Sequence, residues 1–145
     1  MSDRVIVIST RNTNWYVITG APCSGKTSVI NALDQQGFRV VHEVARAYID
    51  EVLQKGKSLK QIKADPYQFE NHIFLTKLKI EASLPENEIV FLDRAVPDSI
   101  AYFKLEGLDP GQPVEKSKLV RYKKVFQFEK KVPRVILRHL NFCES

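Results

Sequence analysis

The sequence predicts an α/β fold in three layers, with a mostly parallel sheet and helices on both of its faces. Two observations lead there. Short β-branched and aromatic runs alternate along the chain with amphipathic segments, the order that builds right-handed βαβ units. The runs themselves are almost wholly apolar, as strands buried on both faces are. The size agrees: 145 residues, 43% hydrophobic and 27% charged, describe one soluble globular domain. A chain this long buries roughly 68% of its unfolded surface, enough for a core without disulfide or metal staples.

Trp15-Tyr16-Val17-Ile18-Thr19 reads as the first strand, closed by Gly20. Residues 26–36 follow as a helix with Val29, Ile30 and Leu33 on one face and Gly37 as its stop. Phe38–His42 is a second strand ending at Glu43, and Val44, Tyr48 and Val52 mark a helix that Lys55-Gly56-Lys57 breaks. Ser58 and Gln61 form a capping box, and Asp65-Pro66 is an N-cap with proline at the first helical position. That helix runs to about Ser83 and Leu84-Pro85 closes it. Glu88–Leu92 is a third strand, Pro97 opens a helix stopping near Gly107, and Lys124–Phe128 is a fourth strand. In parallel sheets ligands bind at the carboxyl ends of strands, so the residues following each strand are where function is sought.

Composition excludes several classes. The longest apolar runs, such as Val5–Ile8 and Ile89–Leu92, are four residues, far below the ~20 of a spanning helix. No signal-peptide pattern opens the chain. Cys23 and Cys143 offer neither a disulfide framework nor zinc spacing, which suits a reducing cytoplasm. The net charge of +5 is unevenly placed. Nine basic residues and only Glu129 in opposition lie between 116 and 138, while the remainder has 13 basic and 16 acidic residues. The expected division is therefore a domain over residues 1–129 and a basic, atypical tail over 130–145. The tail is either a solvated charge run or an element facing phosphate or anionic lipid. No specific nucleic-acid partner is expected.

After the first strand stands Gly20-Ala21-Pro22-Cys23-Ser24-Gly25-Lys26-Thr27, with Ser28 next, a full match to G-x-x-x-x-G-K-[ST]. Average composition puts a chance match at roughly half a percent in a chain of this length, and this one sits between a strand and a helix start. The glycines let successive N–H groups point at one anion, and the helix N-terminus adds its positive dipole end. Lys26 then reaches the β- and γ-phosphates of ATP or GTP, and the Thr27 hydroxyl ligates Mg²⁺. The bland alternative is a glycine turn with a surface lysine. Cys23 reads as a small loop residue, with a redox role the less favoured alternative.

The third strand delivers Asp93-Arg94 to the same sheet edge and the second delivers Glu43. Asp93 is expected to orient the metal, with helix capping as the alternative. Glu43 is expected to accept a proton from a substrate hydroxyl, or else simply to open its helix. Lys26, Asp93, Glu43 and Arg94 make up the expected catalytic set. Arg46 or Arg94 can clamp an anionic substrate. Asp98 and Tyr102 lie one helical turn apart nearby, and Tyr67, Phe69 and His72 can wall an aromatic or ribosyl group, although core packing suits Phe69 better.

Gly20–Thr27, Glu43-Val44-Ala45-Arg46 and Asp93-Arg94-Ala95-Val96-Pro97-Asp98 together resemble the AAA-type P-loop kinase-like domain family. That family includes nicotinamide riboside kinase-like (NadR-type) and TRPL-translocation-defect-type proteins. The resemblance spans roughly Asn14 to Phe128. It implies a nucleoside- or nucleotide-kinase-like P-loop NTPase fold that binds ATP or GTP with Mg²⁺, with Asp93 near the metal and Glu43 near the phosphoryl acceptor. The Asp93-Arg94 pair is also similar to that of thymidylate and deoxynucleoside kinases. Family members continue past the fourth strand with an arginine-bearing lid helix, a further helix and a final strand. Lys130–Ser145 matches no such pattern, so the fold is expected to be incomplete at its C-terminal end, with Arg121, Arg134 or Arg138 as replacements for the lid arginines.

The leading expectation is a Mg²⁺-dependent phosphotransferase acting on a nucleoside-like or other small hydroxylated acceptor. A nucleotide-binding regulator that touches lipid through its basic end, and an inactive shortened form, are the alternatives. A Ras-like switch is disfavoured, because the nearest string to a guanine-reading motif, Thr76-Lys77-Leu78-Lys79, lacks the acid.

Overall fold

The computed structural model describes residues 10–21 and 24–129. Pro22, Cys23 and the tail at 130–145 lie outside the described residues. The chain runs through β1 (Arg11–Asn12), β2 (Trp15–Gly20), α1 (Lys26–Gln35), β3 (Arg39–Val41), α2 (Val44–Gln54) and α3 (Leu59–Ile62). It continues through α4 (Pro66–Ser83), β4 (Val90–Asp93), α5 (Asp98–Leu105), α6 (Gly111–Ser117), β5 (Val120–Arg121) and β6 (Lys124–Phe128).

The main sheet is wholly parallel, in the order β3-β4-β2-β6. Trp15 stands opposite Val90 and Ile18 opposite Asp93, while on the other side Gly20 stands opposite Phe128. This register levels the carboxyl ends of β2 and β4, and β3 ends beside them, with Val41 opposite Leu92. The residues after the three strands therefore emerge at one edge.

Side chains alternate across the sheet. Trp15, Val17, Val90 and Leu92 face α4 and pack with Ile80 and Leu84, and this is the centre of the core. Trp15 is completely buried and its indole N–H donates to the Pro85 carbonyl at 2.9 Å, so its polar atom is satisfied inside the apolar layer. Beyond that layer α4 meets α2 through Phe69, Ile73 and Val44, and meets α5 through Phe74 and Phe103. On the opposite face α1 packs against β2, β3 and β4. An aromatic row also crosses that face: Phe38 to Phe91 at 5.3 Å, Phe91 to Tyr16 at 5.2 Å and Tyr16 to Phe126 at 6.3 Å. The three layers are thus α1, the sheet, and the helices α2, α4 and α5.

Local signals explain the helix starts. Ser58 Oγ accepts the Gln61 N–H at 3.2 Å and Gln61 Oε1 accepts the Ser58 N–H at 2.9 Å, a complete reciprocal box. Asp65 caps α4 by accepting the Gln68 N–H at 3.1 Å, with Pro66 at the first position. Two features differ from the sequence-based expectation. The two-residue strands β1 and β5 pair in parallel as a second small sheet, and α6 forms between α5 and β5. The first half of the basic run is also folded, not free. Lys116 lies in the last turn of α6 and Lys118 follows the helix, and Arg121, Lys123 and Lys124 lie in or beside β5 and the amino end of β6. Among the described residues no helix is long and apolar enough to cross a membrane.

Candidate functional site

β2 ends in Gly20, whose φ of 139° and surroundings both require glycine. A Cβ there would stand 2.2 Å from the Phe128 carbonyl oxygen. Ala21, next in line, donates its N–H to that same oxygen at 3.3 Å, so the loop leaves the sheet tied to β6. Gly25, with φ 88°, is the N-cap of α1 and supplies no side-chain cap. The first N–H groups of α1 therefore lack the usual internal partner. Ser24 Oγ is buried and has no hydrogen bond among the described residues, and Thr27 and Ser28 are exposed on the first helical turn.

Lys26 is buried despite its charge, because its ammonium donates to Asp93 Oδ1 at the end of β4. Glu43, the N-cap of α2, brings Oε2 to 3.5 Å from the same nitrogen. Burial raises the Asp93 carboxyl above its ordinary value; its contact with Lys26 opposes that rise, and the charge of Glu43 adds to it. Removing either member of such a buried pair leaves a lone charge, at a cost of about 3–5 kcal/mol.

Arg94 follows Asp93 and takes φ 65°, the only non-glycine residue at positive φ among those described. This conformation turns its guanidinium back over the loop's first residues. Nη1 donates to Thr19 Oγ1 at 3.2 Å and Nη2 to the Gly20 carbonyl at 2.8 Å. Nε is 3.7 Å from Glu43 Oε1 and has no hydrogen bond among the described residues. Asp98 completes the group: Oδ1 accepts from Thr19 Oγ1 and Oδ2 accepts the Ala95 N–H at 2.7 Å. Asp98 thus caps its own turn while bracing the end of β2.

The structure therefore brings together Gly20, Ala21, Ser24, Gly25, Lys26, Thr27, Glu43, Asp93, Arg94 and Asp98. Arg46 is not with them; it lies exposed on α2 with Nε 3.6 Å from Asp50. Phe69 belongs to the core, Tyr67 is exposed and His72 stacks on Tyr48 at 4.2 Å. Arg121 sits in β5, before β6 and hence at the opposite sheet edge. There it helps line a cleft of about 450 Å³ remote from the glycine loop. Because β6 runs parallel to β2, a residue preceding it is carried away from the phosphate end, so Arg121 is no replacement for a lid arginine. Arg134 and Arg138 lie outside the described residues.

A polar layer behind the site escaped the sequence reading. Lys77 is buried on α4 and donates to Ser99 Oγ at 3.2 Å. Burial lowers its basicity, and Asp98 partly restores it. Glu81, one turn on, accepts the Val96 N–H at 2.9 Å and the Tyr122 hydroxyl, and burial raises its carboxyl and that of Glu70. The signal was present as charged residues at positions 70, 77 and 81, within the same buried register as Ile73, Phe74 and Leu84.

A second cleft, of about 580 Å³, opens beside the loop between α5 and the β2–β6 floor. Gly20, Arg94, Asp98, Val17, Ala101, Leu105 and Val125 are among the residues that line it.

Residues 15–138 match the AAA domain family, a span that contains the glycine loop, both strand-end carboxylates and most of the sheet. The chain belongs to that family. Among solved structures this AAA domain is similar to the crystal structure of NadR protein in complex with NR. The TM-score is 0.58 and the identity 18%, over 83% of this chain and 33% of that one. This AAA domain thus spans a third of the length of the NadR chain. The likeness shows a P-loop NTPase fold. No match was found among curated proteins.

The family implies a magnesium ion beside the loop, and the residues present suit it. Among those described, no three His, Cys, Asp or Glu side chains form a closed cage. Mg²⁺ is ordinarily held by one or two carboxylates together with phosphates and water, and not by an all-protein cage. Asp93, Glu43 and the exposed Thr27 hydroxyl provide that kind of partial set.

Proposed function

We propose that this AAA domain binds ATP or GTP with Mg²⁺ and transfers the terminal phosphoryl group to a small, nucleoside-like hydroxylated acceptor. The observation that carries the reading is the meeting of Lys26, Asp93 and Glu43 at the carboxyl edge of the sheet, beside the Gly20–Thr27 loop. In this reading the loop amides and the α1 N-terminus take the phosphates, and Lys26 exchanges Asp93 for phosphate oxygens. Thr27 and Asp93 would hold Mg²⁺, which supplies neutralisation of the charge on the transferring group. The acceptor oxygen bonds to the γ-phosphorus, the bond to the bridging oxygen breaks and the nucleoside diphosphate leaves, with the hydroxyl proton passing to Glu43. Arg94 and Asp98, held against Thr19, border the acceptor.

The test is to incubate the protein with Mg-ATP or Mg-GTP and a panel of nucleosides, following acceptor phosphorylation, with Lys26→Met as the paired variant. The expected result is transfer that falls about 100-fold or more in the variant, with a melting curve showing that the variant is folded. Nucleotide binding with no transfer to any acceptor would replace this reading with that of a binding regulator.

A further inference from the structure

The turn between β4 and α5 carries both Arg94 and Asp98, and its shape is not set by its own residues alone. Arg94 stands at φ 65°, a conformation that a residue with a side chain keeps only where its surroundings hold it there. The holding can be traced donor by donor. The Arg94 N–H bonds to the Ile18 carbonyl at 2.9 Å, and the Ala95 N–H bonds to Asp98 within the turn itself. Pro97 has no N–H to give. That leaves Val96, which is 2% exposed, so that its N–H needs an acceptor inside the protein. The acceptor is Glu81 Oε2 at 2.9 Å, from the last turn of α4.

Glu81 is itself buried, and both of its oxygens are engaged. Oε1 accepts the Tyr122 hydroxyl, so two donors from segments far apart in the chain converge on one carboxylate. One helical turn earlier, Lys77 reaches the same segment and donates to Ser99 Oγ at 3.2 Å. Its ammonium also lies 5.8 Å from the centre of the Tyr102 ring, and the Arg94 guanidinium carbon lies 5.6 Å from that same centre. α4 therefore grips the turn on both sides of Asp98, at Val96 and at Ser99, and braces the ring beside the Arg94 side chain. The contacts of Glu81 and Lys77 stop short of the glycine loop. Their effect is carried there by Arg94, which donates to Thr19 and Gly20, and by Asp98, which accepts from Thr19.

We propose that Glu81, assisted by Lys77, is a positioning residue for the phosphate site: it ties the β4–α5 turn to α4 and so fixes where the Arg94 guanidinium and the Asp98 carboxylate stand beside the start of the glycine loop. The requirement is for an acceptor of the right reach, and not for a charge. A glutamine keeps an oxygen for the Val96 N–H and turns its amide nitrogen to the Tyr122 oxygen. Leucine leaves both donors bare, and aspartate falls one methylene short. That Arg94 and Asp98 serve phosphoryl transfer rests on the reading above; that Glu81 sets their placement does not.

NMR on the isotope-labelled full chain, without nucleotide, tests the placement through the exchange of the Val96 N–H and the side-chain Nε–H resonance of Arg94. In Glu81→Leu the Val96 N–H is expected to exchange about tenfold faster, the scale of one lost hydrogen bond, and the Arg94 resonance to shift. Glu81→Gln restores both signals. Glu81→Asp gives the same loss as leucine and serves where the leucine variant does not fold. Leu84→Ala, a core substitution just past α4 that makes no contact with the turn, lowers the melting temperature and leaves both signals in place. In the transfer assay Glu81→Leu is expected to lower kcat about tenfold, and to lower it no further in an Arg94→Ala background, because the two residues act as a unit. Signals unmoved in Glu81→Leu and Glu81→Asp, signals moved as far by Leu84→Ala, or effects of Glu81→Leu and Arg94→Ala that simply multiply, overturn the proposal. The expected NMR changes in a protein that phosphorylates no acceptor uphold the placement by Glu81 and overturn only the reaction assigned to the site.

Discussion

Val17 and Val125 stand opposite each other on β2 and β6 and share one face of the sheet, yet Val17 is 3% exposed and Val125 is 56% exposed. The backbone treats the two strands alike, because parallel hydrogen bonding runs from Tyr16–Lys124 to Gly20–Phe128 without a break. What differs is the layer above. α4 and the residue after it place Ile80 and Leu84 over the centre of the sheet, whereas the part near β6 borders the open cleft. Strand formation and strand stabilisation are therefore separate matters here. The ladder sets the conformation of both valines, but only one gains the ~1.5–3 kcal/mol that full burial of such a side chain brings.

The contrast can be broken or sharpened by substitution, beginning at the centre. Leu92→Ala removes a side chain that is 1% exposed beneath α4, and urea unfolding is expected to show a loss of about 2–5 kcal/mol. A loss comparable to that of a surface change would remove the distinction between centre and edge. Gly20→Ala acts at the junction of the two regions, where the new methyl meets the Phe128 carbonyl. A loss of about 1–3 kcal/mol is expected, together with faster hydrogen exchange in β6 than in β4. Equal acceleration in both strands would mean that β6 does not respond as a unit of its own. The smallest effect belongs to Val125→Ala, expected to stay within about 0.5 kcal/mol of the parent. A cost approaching that of Leu92→Ala would show that the edge is covered in solution.

Much of this was legible from the sequence, for identifiable reasons. The four main strands announce themselves as short apolar runs, and the caps at Ser58 and Asp65 are local chemistry between residues three apart. The glycine loop and the carboxylates Glu43 and Asp93 follow from the rule that strand ends gather at one sheet edge. What remained hidden depends on partners distant in the chain. β1 and β5 are too short for any periodicity and exist because residue 11 meets residue 120. α6 begins with Gly111 and buries Pro113, neither of which signals a helix. Lys77 and Glu81 share the buried register of α4, but Ser99, Val96 and Tyr122, which satisfy them, lie far along the chain and reach them only in the fold. The role of Arg94 rests on a backbone conformation that its residue type disfavours.

The small β1–β5 sheet has a mechanical consequence for the edge strand. The Thr13 N–H and hydroxyl both bond to the Arg121 carbonyl, at 3.1 and 2.9 Å, and the Lys123 N–H bonds to the Trp15 carbonyl at 2.8 Å. The amino end of β6 is therefore fastened just before the strand begins. Among the described residues, its carboxyl end is fastened chiefly by the close approach of Phe128 to Gly20 and Ala21. Judged by the described residues, fraying of β6 is expected to start at the end beside the phosphate loop, as a zipper opens with its lower end sewn shut. A ligand that orders the loop at Gly20 and Ala21 therefore also locks the zipper, which makes the order of the outermost strand a remote reporter of occupancy at the loop.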